Sequence, residues 1–165
     1  MRFAIMLWVV ALVSTSGGAV VRADEGEWPG LAKEKLGSVG IGSTSDAAIK
    51  QLGEPTQRAK VIEEGATGDF VSDWTFPHGV VVMMVGAKEK GPFTVRTITV
   101  KTPSKLKTVE GVGIGSSLAS VKKAYGKYLV KPEAGQNDWS VGGGLMFTVE
   151  KDKVSTIYLG PLGGE

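Results

Sequence analysis

Two short stretches with helical spacing of apolar residues stand out in a chain whose hydrophobic pattern otherwise alternates or runs in strand-length blocks. Gly40–Gly53 (GIGSTSDAAIKQLG) and Gly113–Gly126 (GIGSSLASVKKAYG) align without a gap at an offset of 73 residues. Each opens with Gly-x-Gly-Ser, runs through about two helical turns and closes on glycine. Ser43 or Thr44 can cap the first helix, and Asp46 suits its positive end. Ala48, Ile49 and Leu52 form its apolar stripe, Gly53 supplies a C-terminal turn, and Pro55 prevents continuation.

After the first helix the apolar period changes from 3.6 to 2, predicting strands at Arg58–Ile62, Phe70–Phe76, Val80–Val85 and Phe93–Thr102. Polar loops at Glu63–Asp69 and Gly86–Pro92 and a Pro77–Gly79 turn separate them. The same order follows the second helix: Tyr128–Lys131, Asn137–Val141, Leu145–Val149 and Val154–Leu159. Asp73-Trp74-Thr75-Phe76 matches Asp138-Trp139-Ser140-Val141, and Val95-Arg96-Thr97-Ile98 matches Val154-Ser155-Thr156-Ile157. The expected fold is therefore α+β: two tandem repeats, each a short helix followed by a four-stranded antiparallel meander, with the helices packed on one face of the sheet. Unit 1 spans residues 38–102, a linker 103–110, unit 2 residues 111–160, and a tail 161–165.

Residues 1–23 follow another pattern. Arg2 precedes a nearly continuous apolar run from Phe3 to Val13, and small residues at Val21 and Ala23 flank Arg22. This predicts a secretory signal peptide cleaved after about Ala23, a polar lead-in over 24–37, and an extracytoplasmic (periplasmic or secreted) protein. The apolar run is well short of the ~20 residues a spanning helix needs, so no stable membrane anchor is expected after cleavage. The chain has no cysteine, hence neither an acylation site nor a disulfide framework.

The glycine-entered helices and tryptophan-bearing meanders resemble a superfamily. The residues are Gly42-Ser43 with Leu52-Gly53, Gly115-Ser116 with Tyr125-Gly126, and Trp74 with Trp139. It is the fold shared by beta-lactamase inhibitory protein-like proteins, which hold two such units, and the small outer-membrane-assembly lipoproteins, which hold one. The first group carries disulfides and the second an acylated cysteine; this chain departs from both. The resemblance implies an architecture and a habit of binding proteins, and carries over no partner and no contact residue.

Removing Arg2 and Arg22 from the 19 basic residues leaves 17, against 17 acidic. That balance argues against nucleic acid as a partner. Gly111–Ser117 invites a phosphate-loop reading, but it lacks the lysine of a Walker loop and has Ser116 where the dinucleotide pattern needs glycine. His78, the sole histidine, sits in a turn with no serine in a nucleophile elbow. With Met83 and Met84 it suggests a soft-metal site only if both sulfurs share a face. Glu63/Glu64 read as a polar loop. The expectation is thus a non-enzymatic protein with no cofactor and no metal.

Val80-Val81-Val82-Met83-Met84-Val85 and Leu145-Met146-Phe147 are apolar at successive positions, whereas a sheet with one wet face alternates. Either the second face is buried between the halves, or it is an exposed binding surface. The second reading gives a module that binds another protein, or its own copy, through the open sheet face, with Trp74, Phe76, Met84, Trp139 and Phe147 as candidate contacts. The alternative is a small-ligand binder or enzyme with its site between the halves.

Overall fold

A computed structural model describes residues 30–162. The expected signal peptide, residues 24–29 of the lead-in and residues 163–165 of the tail lie outside the described residues. No helix among the described residues is long and apolar enough to cross a membrane.

The chain begins with a turn and a small hairpin, β1 (Lys35–Leu36) and β2 (Val39–Gly40). The end of the expected polar lead-in thus forms one strand of a hairpin, because Gly37 at φ +67° reverses the chain and sets Leu36 opposite Val39, both buried. Helix α1 (Ser45–Leu52) follows, then β3 (Gln57–Arg58), β4 (Ile62–Glu63), β5 (Phe70–Phe76), β6 (Val80–Gly86) and β7 (Thr94–Lys101). After the linker come α2 (Leu118–Tyr125), β8 (Leu129–Val130), β9 (Asp138–Val141), β10 (Leu145–Glu150) and β11 (Lys153–Leu159).

The α+β expectation of two equal helix-plus-four-strand repeats is corrected. The protein is mostly β: one nine-stranded antiparallel sheet, ordered β3-β5-β6-β7-β11-β10-β9-β8 with β4 also paired to β5, carries two eight-residue helices. Two physical reasons account for the difference. The strand expected at Arg58–Ile62 breaks into β3 and β4, because the intervening residues leave the β5 ladder; five strands follow α1 and four follow α2. The halves also merge edge to edge, with Lys101, Val100, Thr99 and Ile98 of β7 opposite Thr156, Ile157, Tyr158 and Leu159 of β11. Neither half is a closed unit.

The two helix entries nevertheless make the same bonds. Gly42 N–H donates to the Val95 carbonyl at 2.8 Å and Val95 N–H to the Ser43 carbonyl at 2.8 Å. Gly115, Val154 and Ser116 repeat this at 2.8 and 2.9 Å. The Ser43 and Ser116 hydroxyls accept from the Gly40 and Gly113 amides. Gly42 and Gly115 stand at φ +79° and +83°, a region costly for any side chain. Thr44 and Ser117 then cap the helices, accepting from Ala47 and Ser120. The ends differ. Gly53 adopts φ +86° and Pro55 follows; Gly126 stays right-handed and the chain runs on as a 3-10 turn, Gly126–Tyr128. With no proline nearby, nothing forces a stop.

A bulge recurs as well. Arg96 is the extra residue between Val95 and Thr97, and Ser155 the extra residue between Val154 and Thr156. Each lets residues three apart, Val95 with Ile98 and Val154 with Ile157, both face inward. The core therefore lies on the helix side of the sheet, where Val82, Met84, Ile98, Phe147, Ile157 and Leu159 are fully buried under the helices, the hairpin and the linker.

This layering predicts unequal costs for neighbours on one strand. Phe147→Ala should lose about 3–5 kcal/mol in urea unfolding, the range for a truncated core aromatic. Met146→Ala, one residue away on the other face, should lose under about 1 kcal/mol. Equal losses would contradict the one-sided core.

Candidate functional site

The sheet face away from the helices is covered at one end by the Glu63–Asp69 loop, where Val71, opposite Val85, is buried, and is otherwise uncovered by any described element. Three central strands build it. Val81, Met83 and Val85 of β6 stand between Thr75 of β5 and Thr97 and Thr99 of β7, as the register Thr75↔Val81↔Thr99 and Asp73↔Met83↔Thr97 requires. Across the seam, Thr99 meets Tyr158, and Tyr158 meets Met146. Thr156 and Thr148 continue the row to Asp138. The result is a broad sheet surface with Val81, Met83, Met146 and Tyr158 as apolar points among hydroxyls. Val81 is 36% exposed, and Met83, Met146 and Tyr158 are half-buried by their strand neighbours.

The charges lie toward the margins of this face, at Asp73, Asp138 and Lys101. Arg96, turned by its bulge, reaches the Glu63–Asp69 loop and pairs with Glu64 at 2.7 Å. Thr67 Oγ1 donates to the same carboxylate at 2.8 Å, and the two bonds hold the Glu64 carboxyl below its usual ionisation range. Glu64 thus pins its loop to the sheet, a role that "polar loop" did not convey.

The five residues expected to make contacts lie elsewhere. Trp74, Phe76, Met84, Trp139 and Phe147 all belong to the helix-covered face. Phe76, Met84 and Phe147 have almost no accessible surface and Trp74 keeps 8%. These four are core, and the reason is strand parity. Trp74 and Phe76 alternate with Asp73 and Thr75, so the polar residues mark the open side. The residues that do populate that side, Val81, Met83, Thr99, Met146 and Tyr158, were missed. Their signal was present in β5 and β10, where Asp73, Thr75 and Thr148 alternate with the buried set, and absent from β6, which is apolar throughout. Trp139 alone stays half-buried, at the outer end of β9.

The other sequence candidates resolve into structural parts. The amides of Gly111, Val112, Gly113, Gly115, Ser116 and Leu118 are all bonded within the protein, so the glycine loop has few donors left for a phosphate. Met84 is buried and Met83 faces the opposite side, while His78 sits at φ +62° in the turn at the far end of β6. Among the described residues no three His, Cys, Asp or Glu side chains converge as a metal site would need. At the sheet seam the halves are joined by the continuous β7–β11 ladder.

One buried polar cluster was not anticipated. Glu34, 5% exposed, accepts from the Val109 amide at 2.7 Å and the Lys35 amide at 3.2 Å. Its second oxygen accepts from the Tyr125 hydroxyl at 3.1 Å. The cluster ties the N-terminal turn, the linker and α2 together. Burial pushes the Tyr125 hydroxyl ionisation well above the usual tyrosine value; a bond to Thr108 works against this and the Glu34 charge adds to it.

Comparison of the chain with protein-family models, with curated proteins and with solved structures returns no match.

Two outcomes follow from the cluster. Glu34→Ala should cost about 1–3 kcal/mol by removing the acceptor of the Val109 amide and one of the partners of the Tyr125 hydroxyl. Tyr125 ionises more readily unfolded, near 10, than folded. Its contribution is therefore complete below pH ~10 and is lost as pH rises above that value. Denaturant midpoints measured up to the alkaline limit should fall with pH, and Tyr125→Phe should make the fall shallower; an unchanged slope would remove Tyr125 as its source.

Proposed function

We propose that this chain is an exported, non-enzymatic protein-binding module that docks its partner on the sheet face opposite the helices. The observation that carries this is the two-sided apolarity of β6. Val80, Val82 and Met84 pack under the helices, yet Val81 and Met83 are apolar on the part of the opposite face that lies beyond the Glu63–Asp69 loop and that no described element covers. A strand with a permanently solvated face alternates with polar residues. Here the solvated side instead carries an apolar centre, with Met146 and Tyr158 beyond the seam and charges toward the margin. An apolar centre within a polar rim is the composition of a protein interface.

The threonine hydroxyls around that centre suit a protein surface better than lipid. They present donors and acceptors that a partner's polar groups can pair, whereas acyl chains would leave them unsatisfied. The resemblance to inhibitor-like and envelope-associated proteins points to the same activity. The partner is another protein, or a second copy of the chain.

A photo-crosslinking side chain at Thr99, in the middle of the face, should yield a defined protein adduct in the native envelope fraction. The same group at Ala47, on the exposed side of α1, should not. An adduct of twice the chain's mass identifies a second copy. Val81→Arg combined with Met146→Arg should abolish the adduct while changing stability by no more than about 1 kcal/mol, since both sites are on the surface. No adduct at Thr99, or equal adducts at both positions, would overturn the proposal.

A further inference from the structure

The two tryptophans occupy corresponding strand positions but have different surroundings. Trp74 lies opposite Val82, and Phe93 packs edge-on against its ring, with centroids 6.3 Å apart. Arg58 covers it at 4.5 Å. Trp139 lies opposite Phe147, and Lys122 covers it at 4.9 Å. Among the described residues it has no aromatic neighbour corresponding to Phe93. The hydrogen bonds show why. Ser45 N–H donates to the Phe93 carbonyl at 3.0 Å, and Leu118 N–H donates to the Asp152 carbonyl at 3.2 Å. Position 152 is therefore the counterpart of position 93. The long loop Ala87–Phe93 brings a ring to that point, while the two-residue turn Lys151-Asp152 brings a carboxylate.

The volume that Phe93 occupies near Trp74 is open near Trp139. A depression of about 730 Å³ lies there, with Leu118, Trp139 and Val149 as its apolar lining and Lys131, Lys151 and Asp152 on its rim. Lys122 adds a third cation beside the tryptophan, and Glu133 a second carboxylate. Gln136 and Asn137 add polar lining; the lining lysines and carboxylates balance two against two, and Lys122 over the tryptophan leaves one positive charge in excess. This surface is distinct from the open sheet face, because Trp139 belongs to the helix-covered side.

We propose that the depression receives an aromatic side chain from a loop of a partner protein, with an acidic residue beside it. The first half of the chain supplies the template: a loop ending in Gly-Pro-Phe seats its ring against the corresponding tryptophan. An edge-on ring gains from the tryptophan's quadrupole as well as from burial. The flanking carboxylate pairs with the excess lysine charge at the rim, which favours encounter and fixes orientation. Leu118, where the first half has Ser45, adds apolar lining at the helix end.

The probe is the capped peptide acetyl-Glu-Gly-Pro-Phe-amide, titrated into the full-length protein and followed by the Trp139 indole N–H resonance, assigned with Trp139→Phe. A saturable shift is expected. Replacing the peptide's phenylalanine by alanine should weaken binding at least about tenfold, the loss of a buried anchor. Replacing its glutamate by lysine should weaken binding and remove its salt dependence. Replacing Lys151-Asp152 by the residues of the Gly86–Phe93 loop places a ring in the depression from within, and should abolish the peptide's shift of the Trp139 indole. No saturable shift by about 5 mM peptide, weaker than any useful contact, would overturn the proposal. So would equal binding of the alanine peptide, or undiminished binding by the grafted protein. These results are independent of crosslinking at Thr99, so either surface can fail alone.

Discussion

The architecture depends on one small set of backbone hydrogen bonds, made twice. In each half the amide of the second glycine and the carbonyl of the following serine bond to the two sides of one strand residue, Val95 or Val154. This fixes the helix N-terminus to the strand before the helix begins. The serine hydroxyl closes the turn from within, and the next residue caps the helix. An isolated eight-residue helix is marginal in water. Here its entry, height and direction over the sheet are set by bonds outside it, so its few apolar side chains have only to fill the space beneath. Glycine is required at φ near +80° for that geometry. A motif that looks like a ligand loop is a hinge pin of the fold.

The elements were legible in the chain far more than their assembly. Alternation in β5, β7 and β11 and short apolar runs in β6 and β10 placed the long strands closely, because each combines β-branched or aromatic residues with bounding glycines or charged turns. The number of strands and the α+β description were not correct. Period-2 alternation in Arg58–Ile62 does not reveal that the segment leaves the ladder between Arg58 and Ile62, and no local signal says that two meanders will share a seam. Both helix stops were readable at their glycines, Gly53 and Gly126; the 3-10 turn that follows Gly126 was not.

The choice of contact residues failed for a different reason. Periodicity separates the two faces of a strand and does not label them, and shifting the parity by one residue exchanges core for surface. Trp74, Phe76 and Phe147 were picked for their chemistry, although Asp73, Thr75 and Thr148 identified their side as the buried one. Met84 had no such neighbour; only its register opposite Val95 decides its face. The bulges at Arg96 and Ser155 added a further difficulty, since they put Val95 with Ile98 and Val154 with Ile157 on one side at a spacing of three. The contrast between Phe93 and Asp152 was present in the sequence as a difference in loop length, but only the hydrogen bonds to Ser45 and Leu118 make the two positions equivalent.

The margins of the sheet are built from fragments. On one side β5 is flanked by β3 and β4, two residues each, and on the other β9 is flanked by β8, also two residues. An approaching extended chain therefore meets no long run of free amides and carbonyls in register, only short stubs interrupted by bends. The molecule can carry a wide apolar-centred sheet in a crowded compartment without offering a template for fibrous growth. Backbone pairing at its ends is thereby disfavoured, and what a neighbouring molecule meets on either face is side chains rather than backbone.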